Sequence, residues 1–129
     1  MNTKLLMSLS AVFMAAAGLA ATFLPQEILV RLAVAPSGAT LLVVQVLGAL
    51  YLGFAAMNWM ARSNLTGGIY SRPVAIGNLL HFAVVAITMM KAVAGGSLRS
   101  NEATVGCVVY SAFAIWFGVV VFTHPIRNK

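Results

Sequence analysis

What this chain lacks most is charge. Lys, Arg, Asp and Glu make up 8% of its 129 residues, where a soluble domain carries about 25%. So few charges cannot solvate the surface of a water-soluble globule of this size, and the alternative solvent is lipid. Acids are scarcest: Glu27 and Glu102 are the whole set. Neither lies within a long apolar run, which removes paired-carboxylate catalysis and an acidic proton relay through a membrane. The one cysteine, Cys107, permits no intramolecular disulfide and sits in an apolar run, where it reads as a small packing residue. No Cys/His cluster has metal-ligand spacing, so neither a metal nor a cofactor is expected. Phosphate-binding and dinucleotide fingerprints are missing, and no Ser/His pair has the acid that would complete a triad. The chain is therefore expected not to be an enzyme. Strand-type alternation is also absent. The net charge of +6 does not imply nucleic acid, because the basic residues sit singly between apolar runs. That placement fits anionic lipid headgroups.

What is present in quantity is apolar sequence, 61% of the chain. The first run is 5–24, behind Lys4. Twenty residues at helical rise reach about 30 Å, enough to cross a bilayer. A cleaved signal peptide is the rival reading, but this run is longer than the usual apolar core of about 7–15 residues, so a retained helix is expected. Within it Ser8, Ala11, Ala15, Gly18 and Thr22 recur at steps of three and four, a stripe that lets another helix approach closely. Pro25 ends the run. The segment 25–38, with Glu27 and Arg31 four apart, predicts a short interfacial helix closed by the turn Pro36, Ser37, Gly38. The second run, 39–61, contains Gln45, Tyr51 and Asn58, and a small-residue pair, Ala49 and Gly53; Trp59 and Arg62 mark its boundary with water. The third run is 73–94, opened by Pro73 and closed by Gly95 and Gly96, and the fourth is 103–123, closed by Pro125. The fold class predicted is all-α: one domain, an integral membrane four-helix up-down bundle, with a short interfacial helix between its first two spans.

Orientation follows from the basic residues. Lys4, Arg62, Arg72, Arg127 and Lys129 fall on one side of such a bundle. Arg31, Lys91 and Arg99 fall on the other, with both acids. The positive-inside rule then places both termini in the cytoplasm.

Polar residues inside the apolar runs are the candidates for function. The stretch 67–82 carries Tyr70 and Arg72 in a glycine-opened loop, then Asn78 and His81 within the third run. Counting along the helix puts His81 about 12 Å below the cytoplasmic end and Asn58 about 6 Å below it. Asn58, Asn78 and His81 are thus expected to meet in the inner half of the bundle under Tyr70 and Arg72, as a candidate polar pocket. Thr88 and Lys91 extend the stripe along the third run, with Lys91 near enough to the far end to snorkel. A histidine there can exchange a proton near neutral pH. The competing reading is structural: Asn and His side chains join transmembrane helices by hydrogen bonds. Gln45 is expected to bond a neighbour, and Tyr110 and Trp116 to serve packing or lipid contact.

Size and plan resemble those of several groups of small bacterial inner-membrane proteins, the small multidrug transporters, the fluoride channels and the DoxX-like proteins, and the resemblance implies a multi-pass protein of the cell inner (plasma) membrane of a bacterium. The first of these depend on a glutamate in the first helix, and 5–24 contains none. No residue roles carry over from any of the three. The function expected is that of a non-enzymatic helix-bundle subunit whose partners are the lipid bilayer, a second copy of the chain or other membrane proteins. The alternative is a small homodimeric transporter or channel using the Asn58/Asn78/His81 pocket.

Overall fold

The computed structural model describes residues 3–63, 72–97 and 100–123. Tyr70, the loop glycines Gly67 and Gly68, Arg99, His124, Arg127 and Lys129 lie outside the described residues. Five helices occur in the described residues: α1 (Thr3–Phe23), α2 (Pro25–Arg31), α3 (Gly38–Ala61), α4 (Arg72–Ala94) and α5 (Asn101–Thr123). No strand is present among these residues. The four long helices have 21, 24, 23 and 23 residues and are apolar enough to cross a membrane. At about 1.5 Å per residue each exceeds the hydrocarbon thickness of about 30 Å. Their order, with α2 between the first two, is that of the predicted bundle.

Helix ends follow local chemistry. Ser37 caps α3 reciprocally: its Oγ accepts from the Thr40 N–H at 3.2 Å, and its own N–H donates to Thr40 Oγ1 at 2.8 Å. Ser100 does the same service for α5 by accepting from the Ala103 N–H at 3.1 Å. This cap starts α5 at Asn101, two residues before the apolar run begins, and brings Glu102 into the first turn, where the helix dipole favours an acid. Pro25 opens α2 immediately after α1, at a position where its missing N–H costs nothing.

The interfacial helix is shorter than the segment 25–38 suggested, because α2 stops at a Schellman turn. The Val34 N–H donates to the Leu29 carbonyl at 2.9 Å and the Ala33 N–H to the Val30 carbonyl at 3.0 Å. Ala33 takes the left-handed position of this turn, with φ 56°. α4 ends in the same way: Ser97 donates to Ala92 at 3.0 Å and Gly96 to Val93 at 3.1 Å, with Gly96 at φ 74°. Glycine fills that position without strain, whereas a Cβ there costs about 1–2 kcal/mol.

The chain divides into two compact units. In the unit 7–62, α1 and α3 cross at glycines. A Cβ on Gly48 would stand 2.9 Å from the Thr22 nitrogen and 3.0 Å from the Gly18 oxygen, and one on Gly18 would stand 2.9 Å from the Leu52 nitrogen. The small-residue stripe of α1 therefore does bring a second helix into backbone contact. Its counterpart on α3 is Gly48 with Leu52 and Ala55, not the expected pair Ala49 and Gly53, which are both exposed; a Cβ on Gly53 would meet nothing within 4 Å. One residue turns the helix by about 100°, so that pair lies on a neighbouring face. α2 packs on α3 through buried Leu29.

The other unit, 1–6 with 63–129, is dominated by α4 packed antiparallel on α5. Its register is fixed at both ends: Leu79 lies against Gly118, and Met89 reaches Gly106. Between them sits fully buried Phe82, stacked on Phe113 at 4.8 Å and on Phe117 at 5.6 Å between ring centroids.

The two Schellman turns predict opposite responses. Gly96→Ala should lower stability by about 1 kcal/mol, and Ala33→Gly should raise it by a similar amount. Denaturation of the purified protein in mixed detergent micelles, followed by circular dichroism, measures both; equal effects of one sign would contradict the left-handed assignment.

Candidate functional site

The polar residues of the spanning helices have separate fates. Asn58 is fully buried, on the stripe of α3 that also buries Gly48 and Ala55. Its Nδ2 donates to Ser10 Oγ on α1 at 3.1 Å, and Ser10 Oγ in turn donates to the Met7 carbonyl at 3.0 Å. Both side chains are fully buried, so this relay joins α1 to α3 in a place where water cannot compete. Asn78 is also fully buried, and its Nδ2 donates to the Val74 carbonyl one turn earlier on α4 at 2.8 Å.

His81 stands at the edge of the aromatic cluster of α4 and α5. Its ring lies edge-on to Phe82 at 5.3 Å and tilted against Tyr110 at 6.0 Å. Tyr110 is buried and 5.6 Å from Phe82. The expected packing role of Tyr110 is thus met within the helix pair.

Of the predicted pocket, the structure places Arg72, Asn78 and His81 on α4. Arg72 is exposed at its first turn, and Tyr70 lies outside the described residues. Asn58 belongs to the unit 7–62, the α4 residues to the other. The longer polar stripe does not hold together. The buried face of α4 is Ala75, Asn78, Phe82 and Ala86, while Thr88 and Lys91 are exposed. Steps of three, seven and three drift round a helix by well over a quarter turn, and the drift carries Thr88 and Lys91 off that face. Thr88 Oγ1 returns its proton to the Val84 carbonyl at 2.8 Å. Lys91, exposed in the last turn, is positioned as an interfacial anchor would be.

At the end of α3 the Arg62 guanidinium carbon stacks 3.4 Å from the centre of the Trp59 ring, and its Nη1 donates to the Trp59 carbonyl at 3.3 Å. This cation–π pair lies at the end of α3 where the sequence placed the boundary with water; the pairing itself was not expected. Gln45 differs from expectation. It is exposed and has no hydrogen-bond partner among the described residues; it lines a polar cleft of about 380 Å³ with Thr22, Phe23, Gln26 and Glu27.

Two features escaped the sequence reading. Ser10, the partner of Asn58, was discoverable: setting Gly18 against Gly48 in antiparallel register and moving two to three turns along both helices brings Ser10 opposite Asn58. The aromatic core was also written in the spacing of Tyr110, Phe113 and Phe117, which fall on one face at steps of three and four. Among the described residues, no group of three His, Cys, Asp or Glu side chains is placed to hold a metal ion.

The α1–α3 crossing yields a paired prediction. Gly48→Ala should destabilise the protein through its clash with the Thr22 and Gly18 backbone, while Gly53→Ala should be neutral or stabilising by up to about 1 kcal/mol from helix propensity. Ser10→Ala and Asn58→Leu should be coupled in a double-mutant cycle by about 0.6–1.7 kcal/mol. Additive effects would show that the buried hydrogen bond contributes nothing. The chain matches no family model, and neither a curated protein nor a solved structure is detectably similar to it.

Proposed function

We propose that this chain is a non-enzymatic, multi-pass membrane protein that works as a helix-bundle subunit or partner of other membrane components. The observation that supports this best is the Asn58–Ser10–Met7 relay. Asn58, the α3 member of the candidate pocket, joins two helices by its bond to Ser10. Asn78 likewise satisfies its own helix, and His81 packs among aromatic rings. The outward faces are large and apolar, as with Leu42, Val46 and Leu50 on α3 and Val105, Val108 and Ile115 on α5. Such faces suit lipid and the helices of a partner alike.

The orientation belongs to the same proposal: a bacterial inner membrane, both termini cytoplasmic, from the excess of Lys and Arg on that side. Cysteines introduced in 63–71 should then be shielded from an impermeant thiol reagent in intact cells. Labelling there would reverse the topology.

A small homodimeric transporter or channel is the second reading, favoured by the position of His81 beside Tyr110 at the edge of the packed rings. One substitution separates the two. Under the subunit reading, purified protein in liposomes carries no solute or ion flux that His81→Ala removes, and the wild type migrates on native gels of mild-detergent extracts as a defined larger assembly. A flux abolished by His81→Ala in a variant that keeps its helicity and thermal midpoint would instead establish transport through the His81 region.

A further inference from the structure

The cleft at the far end of the unit 7–62 has a chemistry of its own. α1 stops at Phe23, α2 starts at Pro25, and α3 starts at Gly38, and the three ends leave an open space of about 380 Å³. Its polar lining is Thr22, Gln26, Glu27 and Gln45, with Phe23 and Leu41 as apolar walls. On the side of the Gly18–Gly48 crossing the backbones of α1 and α3 touch. That contact bounds the cleft, an open vestibule, at one end.

Its depth is marked by Gln45. Seven residues separate Gln45 from the first residue of α3, which is about 10 Å along the axis. An exposed amide at that depth is costly in hydrocarbon and acceptable beside water or a polar ligand. Asn58, the other amide of α3, is buried and bonded; Gln45 has no partner among the described residues, and neither has Gln26 or Glu27. The vestibule thus carries unspent hydrogen-bonding capacity.

That capacity is mainly for accepting. Glu27 supplies two carboxylate oxygens, and Gln26 and Gln45 each supply an amide oxygen beside an NH₂ group. Thr22 commits its hydroxyl proton to the Gly18 carbonyl at 2.8 Å, so only its lone pairs are left for the cleft. No cationic side chain among the described residues lines the space. A single carboxylate among neutral oxygens suits a monovalent cation with several N–H donors, and the volume is far larger than one ion or water requires. The Phe23 ring adds a face to which a cation is attracted.

We infer that this vestibule binds a primary ammonium group, with Glu27 as its counter-charge and Gln26 and Gln45 as the acceptors of its N–H donors. Two sources carry that chemistry at a membrane surface: the headgroup of an ethanolamine phospholipid, and a small free amine. An apolar groove of about 230 Å³ between Leu29 on α2 and Val43 and Val44 on α3 flanks the same junction and suits the chain of a lipid.

The test uses the full chain in mild detergent. Equimolar phosphatidylethanolamine, phosphatidylcholine and phosphatidylglycerol are added, and retained lipid is read by native mass spectrometry. Phosphatidylethanolamine should be retained over phosphatidylcholine, which has no N–H donors, by about tenfold, the factor one charge-assisted hydrogen bond supplies. Glu27→Gln and Gln45→Leu should each erase most of that preference while circular dichroism stays that of the wild type. Ethanolammonium chloride is then added as competitor: displacement shows that the free amine suffices, and its failure with the preference intact assigns the site to the lipid. Equal retention of the two zwitterionic lipids without ethanolammonium binding, a preference for phosphatidylglycerol, or a preference that survives Glu27→Gln would each overturn the inference.

Discussion

Hydrocarbon offers no hydrogen bonds, and a chain with four helices long and apolar enough to cross a membrane has to meet that condition. A polar group inside a spanning helix must bond its own backbone, reach another helix, or face water. All three solutions occur here. Thr22, Thr88, Ser111 and Thr123 return their hydroxyl protons to carbonyls four residues back. Asn58 reaches across to Ser10. Gln45 is left open to a cleft that other polar residues share. The choice among these follows from which face each residue occupies, and that face is set by packing.

Packing uses two different devices, because burying apolar surface earns little when the surrounding solvent is itself apolar. α1 and α3 are brought together by the absence of side chains. Glycine at 18 and 48 lets backbone touch backbone, and this closeness is what carries Ser10 within hydrogen-bonding distance of Asn58 two to three turns away. α4 and α5 are held by large side chains. Phe82 fills the space between Phe113 and Phe117, and contacts at Leu79–Gly118 and Met89–Gly106 flank it. Ring stacking is dispersion and quadrupole attraction, which operate in lipid as in water.

Much of this fold was legible because length and apolarity are cumulative signals. Four runs of about twenty apolar residues admit few readings, and the helix ends fall within two residues of where the runs begin and stop. Pro25, Ser37 and Gly96 act locally, so the turns they make were readable as well. Face assignment was less legible. Ala49 and Gly53 look as good a crossing pair as Gly48, and only the partner helix decides between them. The polar stripe from Asn78 to Lys91 looked continuous because each single step is helical, while the accumulated drift moves its last members to the exterior. The partner of Asn58 was missed because serines are common in such helices, and Ser10 stands out only after the register of α1 on α3 is known.

The two amides of α3 show why a polar residue in a spanning helix is a weak marker of function until its surroundings are known. Asn58 and Gln45 present the same chemical group on the same helix. The side chain of Asn58 lies in line with Gly48 and Ala55 on the face pressed to α1, so its amide donates to Ser10 and helps hold the two helices together. Gln45 sits near the opposite end, where α1 ends and α2 turns back. The α1 and α2 side chains that share its cleft, among them Thr22, Gln26 and Glu27, do not hydrogen-bond to it. A polar group that packing fails to satisfy persists at depth only if something from outside the protein satisfies it. Glu27 makes the space it faces electronegative, and a cation able to donate to several oxygens meets both needs at once. Asn58 and Asn78, which looked functional in the sequence, bond within the protein, and Gln45, which looked incidental, is the amide that the proposed ammonium site would use.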